Sequence, residues 1–347
     1  MKKSVRLGVI GAGSIGAMHL DACRACPGLE VAAVCDVDPG RARKAAKDFG
    51  VPHAFTDHRA MLAKDVVDAV SVCTPNNTHM AIALDAIKAG KDVLCEKPIA
   101  MSAQQARRMV GAAKAGRRIL MTAQSARYSS AAQYVKRLVD AGRFGEVYFG
   151  KAVWFRRDGI PRGWFQDRKQ SGGGPLIDLG VHAIDLLWWL MGRPKPVSAY
   201  GVTFDHLGTT GQGMGGWGVG YNPAKFSVED MVGAIIRFQD GRAISVDISW
   251  AAHTSETYWL RIFGTKGGAQ VQPEVVLYQN DDSVKLDIAA NAGRQNAYAA
   301  EIQHFADCVR RREEPMSPGS HAVVVMGMLD AIAVAARTGR MAPIRTA

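Results

Sequence analysis

The stretch Val5-Arg6-Leu7-Gly8-Val9-Ile10-Gly11-Ala12-Gly13-Ser14-Ile15-Gly16 decides the fold. A short apolar run ends in three glycines spaced G-x-G-x-x-G, and a helical pattern begins at Ser14. Glycines so spaced permit a tight turn, and they let backbone N–H groups approach a pyrophosphate at the N-terminus of the helix. Alone the pattern is weak, because glycine-rich turns are common. Its position between strand and helix gives it weight. Asp36, 20 residues after Gly16 at the end of the next apolar run, puts a carboxylate where both ribose hydroxyls of a dinucleotide would bind. The competing reading is an ordinary strand–helix–strand unit in which Asp36 caps a turn.

Outward from this stretch, residues 1–122 keep one rhythm. Apolar runs at 5–10, 31–35, 69–73, 93–95 and 119–122 alternate with amphipathic segments at 14–26, 41–49, 78–89 and 102–115. Gly50, Gly90 and Gly116 stand where these helices should stop. Such alternation predicts parallel strands with crossover helices, a doubly wound Rossmann sheet. From residue 123 to 347 the pattern is different. A helix at 131–141, a strand at 147–156 and a helix at 175–190 precede a mostly β segment from 197 to 286. Asp240-Gly241 marks a hairpin within that segment, and 208–220 reads as a glycine-rich surface loop. Two helices, 295–310 and 321–338, close the chain. The expectation is an α/β chain of two domains, 1–122 and 123–347. The second is an α+β domain with a large, mainly antiparallel sheet, and its last helix packs back on the first.

Composition excludes several classes. The net charge is +11, but the 43 basic residues are spread along the chain, with no zinc-ligand spacing and no basic stretch interleaved with aromatics. This argues against nucleic acid as a partner. No window holds 18 uninterrupted apolar residues, so no membrane span is expected. The basic start at Lys2-Lys3 imitates a signal peptide, but the following run is short and broken by glycine. The six cysteines read as reduced, buried thiols, Cys23-x-x-Cys26 included, and point to the cytoplasm. The nine histidines show no HExxH or paired Cys–His spacing, so no metal is expected.

Three segments hold polar groups that structure alone does not require. Glu96-Lys97-Pro98 follows an apolar run, and strand carboxyl ends face the ligand crevice of an open α/β sheet. Lys97 would project towards a nicotinamide, with Pro98 fixing the turn in an expected cis form. Gly172-Gly173-Gly174-Pro175 opens a helix on which Asp178, His182 and Asp185 share one face among apolar neighbours. Ionisable groups on a buried face are costly unless paired or functional. His182 would take a hydroxyl proton as general base, oriented by Asp178, while Lys97 stabilises the developing alkoxide. A purely structural His182–Asp178 pair is the alternative. Thr74-Pro75-Asn76-Asn77-Thr78-His79 ends another strand and supplies Thr74, Asn76 and His79 as candidate cofactor contacts. Gly11, Gly13, Ser14, Ile15, Gly16, Asp36, Glu96 and Lys97 complete that set. Asp36 would repel a 2′-phosphate, which favours NAD over NADP, although Arg41 and Arg43 follow closely and soften the argument.

Taken together, Gly11–Gly16, Asp36, Thr74–His79, Glu96-Lys97-Pro98 and the Asp178/His182 segment closely resemble the Gfo/Idh/MocA family over essentially the whole chain. The resemblance implies a Rossmann domain joined to an open-faced β-sheet domain. It further implies a homodimer or homotetramer formed through the sheet, and a sugar, sugar derivative or cyclitol as substrate. By motif position Lys97, Asp178 and His182 match the family's catalytic trio. Arg127, Tyr128, Arg157, Trp164 and Lys169 flank these segments and are the candidate substrate contacts, with Trp164 able to stack on a pyranose face. His206 and Trp217 are weaker candidates, and Trp188-Trp189 reads as core. Dehydrogenase chemistry is the first expectation. An NAD-dependent glycoside hydrolase and a non-catalytic NAD-binding regulator, both with precedents among relatives, are the alternatives. Retention of the trio speaks against the regulator.

Overall fold

A computed structural model describes residues 4–345. The chain forms two compact units. Residues up to Tyr128 supply β1 (Val5–Ile10), α1 (Ser14–Cys23), β2 (Leu29–Cys35), α2 (Pro39–Phe49), β3 (His53–Phe55), α3 (His58–Leu62), β4 (Ala69–Val72), α4 (Asn76–Lys88), β5 (Asp92–Glu96), α5 (Ala103–Gly116) and β6 (Leu120–Ala123). The six strands are all parallel, in the order β3-β2-β1-β4-β5-β6. Chain order reverses between β1 and β4, so the loops after those strands open the crevice where such sheets bind ligands. The doubly wound expectation holds, with β3 added. That strand is three residues long and largely exposed at the sheet edge, so it leaves no apolar run to read.

The second unit holds α6 (Ser130–Asp140), β7 (Val147–Phe155), α7 (Arg168–Ser171), a π-turn (Leu176–Gly180) running into α8 (Val181–Leu190), β8 (Pro196–Phe204) and α9 (His206–Thr210). It continues with β9 (Met231–Phe238), β10 (Ala243–Ser249), β11 (Thr257–Gly264), β12 (Gly267–Gln272), β13 (Val275–Asp281) and β14 (Val284–Ala290). α10 (Ala297–Arg311) then belongs to the first unit, α11 (Gly319–Thr338) runs from the first into the second, and β15 (Ala342–Pro343) ends the described chain. The large sheet has the order β14-β13-β12-β11-β7-β10-β9-β8-β15 and is antiparallel except where β7 meets β10. Its inner face is set by strand alternation. Val232, Ile236 and Phe238 of β9 and Ile244, Val246 and Ile248 of β10 are wholly buried, while Ile235 between them is 46% exposed. α8 packs on β7, β10 and β11, and burial of each leucine among Leu186, Leu187 and Leu190 contributes about 1.5–3 kcal/mol. Trp188 and Trp189 are core residues, as expected.

The expected cut at residue 122 is corrected by the return of Gln295–Val323 to the first unit. Its cause is packing on α1. Ile302, Phe305 and Ala306 of α10 are fully buried in one cluster with Leu20, Cys23 and Cys26, and the Cys26 thiol lies 3.4 Å from the Ala299 carbonyl. All six cysteines are free and buried. No window of the described chain holds 18 uninterrupted apolar residues, as read from the sequence. α11 is long and apolar enough to cross a bilayer, at a mean hydropathy of 1.6, although Ser320, His321 and Asp330 interrupt its apolar run. In the fold, 61% of that stretch is buried inside the protein.

Candidate active-site residues

In the first unit the glycine turn is built by close approach. A Cβ on Gly11, whose φ is +99°, would sit 2.4 Å from the Cys73 carbonyl oxygen, and one on Gly16 would sit 1.8 Å from the Gly11 oxygen. Only glycine fits there. Gly13 differs: no atom of the protein lies within 4 Å of a Cβ built on it, and its φ of −76° suits any residue. It caps α1 with no side-chain hydrogen bond and no acidic residue in the first turn, so the N–H groups of Ser14, Ile15 and Gly16 head a bare, positively polarised helix end. This is a cradle for a phosphate group, and a dinucleotide's pyrophosphate fits it.

Asp36 is held hard against this turn. Its Oδ2 accepts the Ala12 N–H at 2.9 Å, and its Oδ1 accepts the Asp38 N–H at 2.9 Å and the Arg41 Nε and Nη2 at 3.1 and 3.0 Å. The carboxylate is 8% exposed and the Arg41 side chain 56% exposed. The pair therefore presents both a carboxylate edge and a guanidinium beyond the cradle.

Glu96 ends β5, and its carboxylate faces inward. Oε2 accepts the Lys97 N–H at 2.9 Å, and Oε1 meets His19 Nε2 at the same distance. His19 Nδ1 lies 2.9 Å from Ser71 Oγ, which in turn lies 3.4 Å from the Cys73 thiol. Burial opposes charge on both partners, yet the neighbouring Cys73 and Glu96 raise the His19 pKa well above its ordinary value. His19 and Lys97 likewise hold Glu96 below the usual carboxylate range. The result is a buried His19⁺–Glu96⁻ pair beneath the Lys97–Pro98 turn, whose peptide is cis as expected. His19 was legible only as a histidine one turn after Gly16, on the inner face of α1.

His79 needs a correction. Its Nδ1 lies 2.8 Å from the Pro98 oxygen and its Nε2 2.8 Å from the Thr74 oxygen, and the ring is 1% exposed. Burial lowers the His79 pKa, so the neutral ring donates its one N–H to one of these carbonyls and rests its other nitrogen against the second, between the loop after β4 and the turn after β5. His79 is a brace, and it has no nitrogen left for a cofactor. Thr74 is half-buried at that loop and hydrogen-bonded to Thr78, and Asn76 is buried as the first residue of α4.

Arg127 and Tyr128 are corrected too. Arg127 is fully buried and donates to the Met316 carbonyl at 2.8 Å and towards His321 Nδ1 at 3.1 Å. The Tyr128 hydroxyl lies 3.2 Å from Ser317 Oγ, and burial pushes its pKa upward. Both fasten the returning segment to the first unit and offer nothing to a substrate.

In the second unit the Gly172–Gly174 turn lies against Glu229. A Cβ on Gly174 would be 1.8 Å from the Glu229 backbone oxygen, and the Gly174 N–H donates to Glu229 Oε1 at 2.8 Å. The helix expected at 175–190 begins instead with the π-turn, a feature that often marks functional positions and left no sequence signal. Asp178 lies in that turn, 6% exposed, and its Oδ2 accepts the Trp250 indole N–H at 3.0 Å. His182 is half-buried in the first turn of α8, with the Trp154 ring 6.5 Å away. Trp154 packs on Tyr258 with ring centroids 4.3 Å apart and planes tilted by 33°, and burial pushes the Tyr258 phenol up to about 12, so it stays neutral near pH 7. Trp164 is half-buried and stacked on Phe165 at 3.9 Å. Phe165 meets Trp217 and Trp250 edge-on at 5.7 and 6.5 Å. Arg157 and Lys169 are exposed, Lys169 in α7. Sequence reasoning missed Trp250, which bonds Asp178, Trp154, which lies near His182, and Tyr258, which packs on Trp154, because aromatic character alone says nothing about such neighbours.

Residues 5–124 match the Gfo/Idh/MocA oxidoreductase family, NAD-binding Rossmann fold, and residues 132–270 match a C-terminal domain of the same family. D-glucoside 3-dehydrogenase of Escherichia coli (strain K12) is 30% identical over 340 residues, 96% of each chain. scyllo-Inositol 2-dehydrogenase (NAD(+)) of Bacillus subtilis (strain 168) is 27% identical, covering 91% of this chain and 89% of its own. A solved structure of levoglucosan dehydrogenase with NADH superposes with a TM-score of 0.86 at 22% identity, over 99% of this chain and 100% of that one, which shows the shared fold. With this cradle, this strand order and relatedness along its whole length, the chain belongs to the Gfo/Idh/MocA family of NAD-binding oxidoreductases.

Proposed function

We propose that the chain is a dehydrogenase that moves a hydride between NAD and one carbinol carbon of a sugar, sugar derivative or cyclitol. The observation that carries this reading is the cradle between the end of β1 and the head of α1, closed by packing at Gly11 and Gly16 and left open at Gly13. The names of the relatives add the substrate class. When bound, the nicotinamide supplies the hydride acceptor or donor. The remaining steps fall to the chain. Lys97, held through its N–H by Glu96, carries the positive charge that stabilises an alkoxide. His182 takes the hydroxyl proton, and Asp178, fixed by the Trp250 indole, sets its orientation. Free, buried cysteines support a cytoplasmic setting. Tyr200, Val202, Phe204 and Ile235, each more than 40% exposed on the large sheet, support association of copies through that face.

The cradle has a sharp test. Gly13→Ala adds a methyl group that meets nothing in the protein, so the melting temperature should stay at the wild-type value. The methyl group should nevertheless weaken NADH binding at least about tenfold, since backbone N–H groups must approach the pyrophosphate closely. Equal NADH affinity in fluorescence titrations of the two proteins would move the phosphate elsewhere.

Cofactor choice turns on Asp36 and Arg41. Asp36 favours NAD, while Arg41, paired to it and half-exposed, is placed to meet a 2′-phosphate once released. Asp36→Ala should shift the NADP/NAD ratio of kcat/KM towards NADP by about tenfold or more, and Asp36→Ala/Arg41→Ala should abolish the gain, as expected for loss of one charge contact. An unchanged ratio would remove Asp36 from ribose recognition. The reaction itself is tested by following NADH absorbance with NAD or NADP against aldoses, inositols, sugar acids and glycosides. Turnover of a sugar or cyclitol is expected. Hydrolysis of a glycoside without net NADH would overturn the reading.

A further inference from the structure

Near Asp178 the second unit carries a cation, Arg156, with no hydrogen-bond or ion-pair partner for its guanidinium among the described residues. Continuing the alternation of β7, Arg156 falls on the same side as Trp154, and its N–H still pairs with the Ser249 carbonyl at 3.1 Å. The guanidinium carbon lies 5.6 Å from the Trp154 ring centroid and 5.2 Å from that of Trp217, so two indoles hold it. Its stem passes through a space kept clear by glycine. A Cβ on Gly159 would stand 2.4 Å from Arg156 Cδ and 2.9 Å from the Trp250 oxygen. Among the described residues, however, the guanidinium makes no hydrogen bond and no ion pair, although Arg156 is half-buried.

That is an unusual way to hold five donors, because a half-buried guanidinium normally places them on carboxylates or carbonyls. Two acids are near enough to act on its charge, Asp178 and Glu256. Asp178 Oδ2 is taken by Trp250, and Glu256 Oε1 accepts the Arg157 N–H at 3.4 Å. Burial works against the charge and lowers the Arg156 pKa from its ordinary value, so the position costs stability that nothing within the unit repays in hydrogen bonds. The flanking indoles lie against the guanidinium without offering acceptors, and the Tyr258 phenol beside Trp154 is uncharged. A planar fork, held by two rings, without a hydrogen-bond acceptor of its own and half-desolvated, matches a carboxylate in two parallel hydrogen bonds.

We propose that Arg156 is the anchor for a substrate carboxylate, so that the preferred substrates of this chain are sugar acids or glycosides of uronic acids rather than their neutral counterparts. The inference deepens the dehydrogenase reading and rests on it for turnover, but binding tests it separately. Trp154 and Trp217 lie against the guanidinium, so ligand binding there should change tryptophan fluorescence. The probes are methyl β-D-glucopyranosiduronic acid and the matched neutral methyl β-D-glucopyranoside, each titrated into the NADH-bound full chain and assayed for NAD reduction.

Wild type should bind the uronate about ten- to a hundredfold more tightly than the neutral glycoside, the range of a charge-assisted bidentate contact. Arg156→Gln should erase that preference and leave the neutral glycoside's affinity in place, whereas Arg156→Lys should retain part of it. Lys285→Gln, at an exposed position in β14 of the same unit, should change nothing. Equal wild-type affinity for the two probes would overturn the proposal even if the variants fail to fold. So would an equal loss of both ligands in Arg156→Gln. Uronate binding without NADH formation would retain the anchor and sink the dehydrogenase reading. Turnover indifferent to the carboxylate would do the reverse.

Discussion

Replacing His182 with alanine should lower kcat by about a hundred- to ten-thousandfold, the usual contribution of a positioned general base, and leave NADH affinity unchanged. NADH affinity should hold because the cradle lies in the first unit and His182 in the second. His182 is half-buried at the point where the π-turn passes into α8, which lets its ring reach solvent or substrate while the helix fixes its backbone. Asp178, in that turn, is anchored by the Trp250 indole, and Trp250 is itself wholly buried and bonded through its backbone N–H to the Asp230 carbonyl at 2.9 Å. The orienting group is thus held by the core. Trp250→Phe should accordingly lower kcat with little change in KM, as loss of positioning does. Lys97→Ala should also cost about a hundred- to a thousandfold in kcat, the scale of one lost electrostatic donor. The pH profile separates the two roles. Wild-type kcat should fall towards low pH as the base protonates, and His182→Ala should flatten that limb, whereas Lys97→Ala should keep it. Near-normal turnover of His182→Ala across the pH range would end the general-base assignment.

How far the sequence reaches depends on the kind of signal. Hydrophobic period and glycine placement carried β1, α1, β2, α2, β4, α4, β5, α5 and β6, because each buries a face strongly enough to leave an apolar pattern, which the five-residue α3 is too short to show. β3, exposed at the sheet edge, left none. The return of α10 to the first unit is a long-range packing event, and nothing local distinguishes its apolar face from one packed on neighbouring sequence. At the site, glycine spacing and the Glu96-Lys97-Pro98 tripeptide were legible as chemistry without an obvious structural need. Direction was not legible. His79, Arg127 and Tyr128 are polar residues beside functional motifs, and their side chains turn inward to serve as braces. Arg156 and Arg157 are adjacent arginines that only strand alternation can tell apart. The one that reaches the aromatic cluster is Arg156, the residue that sequence order did not single out.

The largest stability effect should come from the His19–Glu96 pair. Each partner is essentially buried, at 0% and 8% side-chain exposure, and the two are 2.9 Å apart. Removing one of two buried charges leaves the other uncompensated, at a cost of about 3–5 kcal/mol. For a unit of this size, His19→Ala or Glu96→Ala should each lower the melting temperature by roughly 6–20 °C. His19→Leu/Glu96→Gln removes both charges and should recover part of that loss, so the double variant should be more stable than the sum of the single effects. The pH dependence has a definite sign. His19 has a folded pKa raised above 6.5, so its contribution is full below about 6.5 and is lost as pH rises through the raised value. Glu96 has a folded pKa below 4.5, so its contribution is full above about 4.5 and is lost as pH falls through the lowered value. Wild type should exceed the double variant in stability by the widest margin between pH 4.5 and 6.5, and the margin should narrow on both sides. Calorimetric scans of the two proteins from below pH 4.5 to above pH 6.5 decide the matter. A margin independent of pH would mean that the pair is neutral and that Lys97 rests on a hydrogen-bonded turn rather than on a buried ion pair.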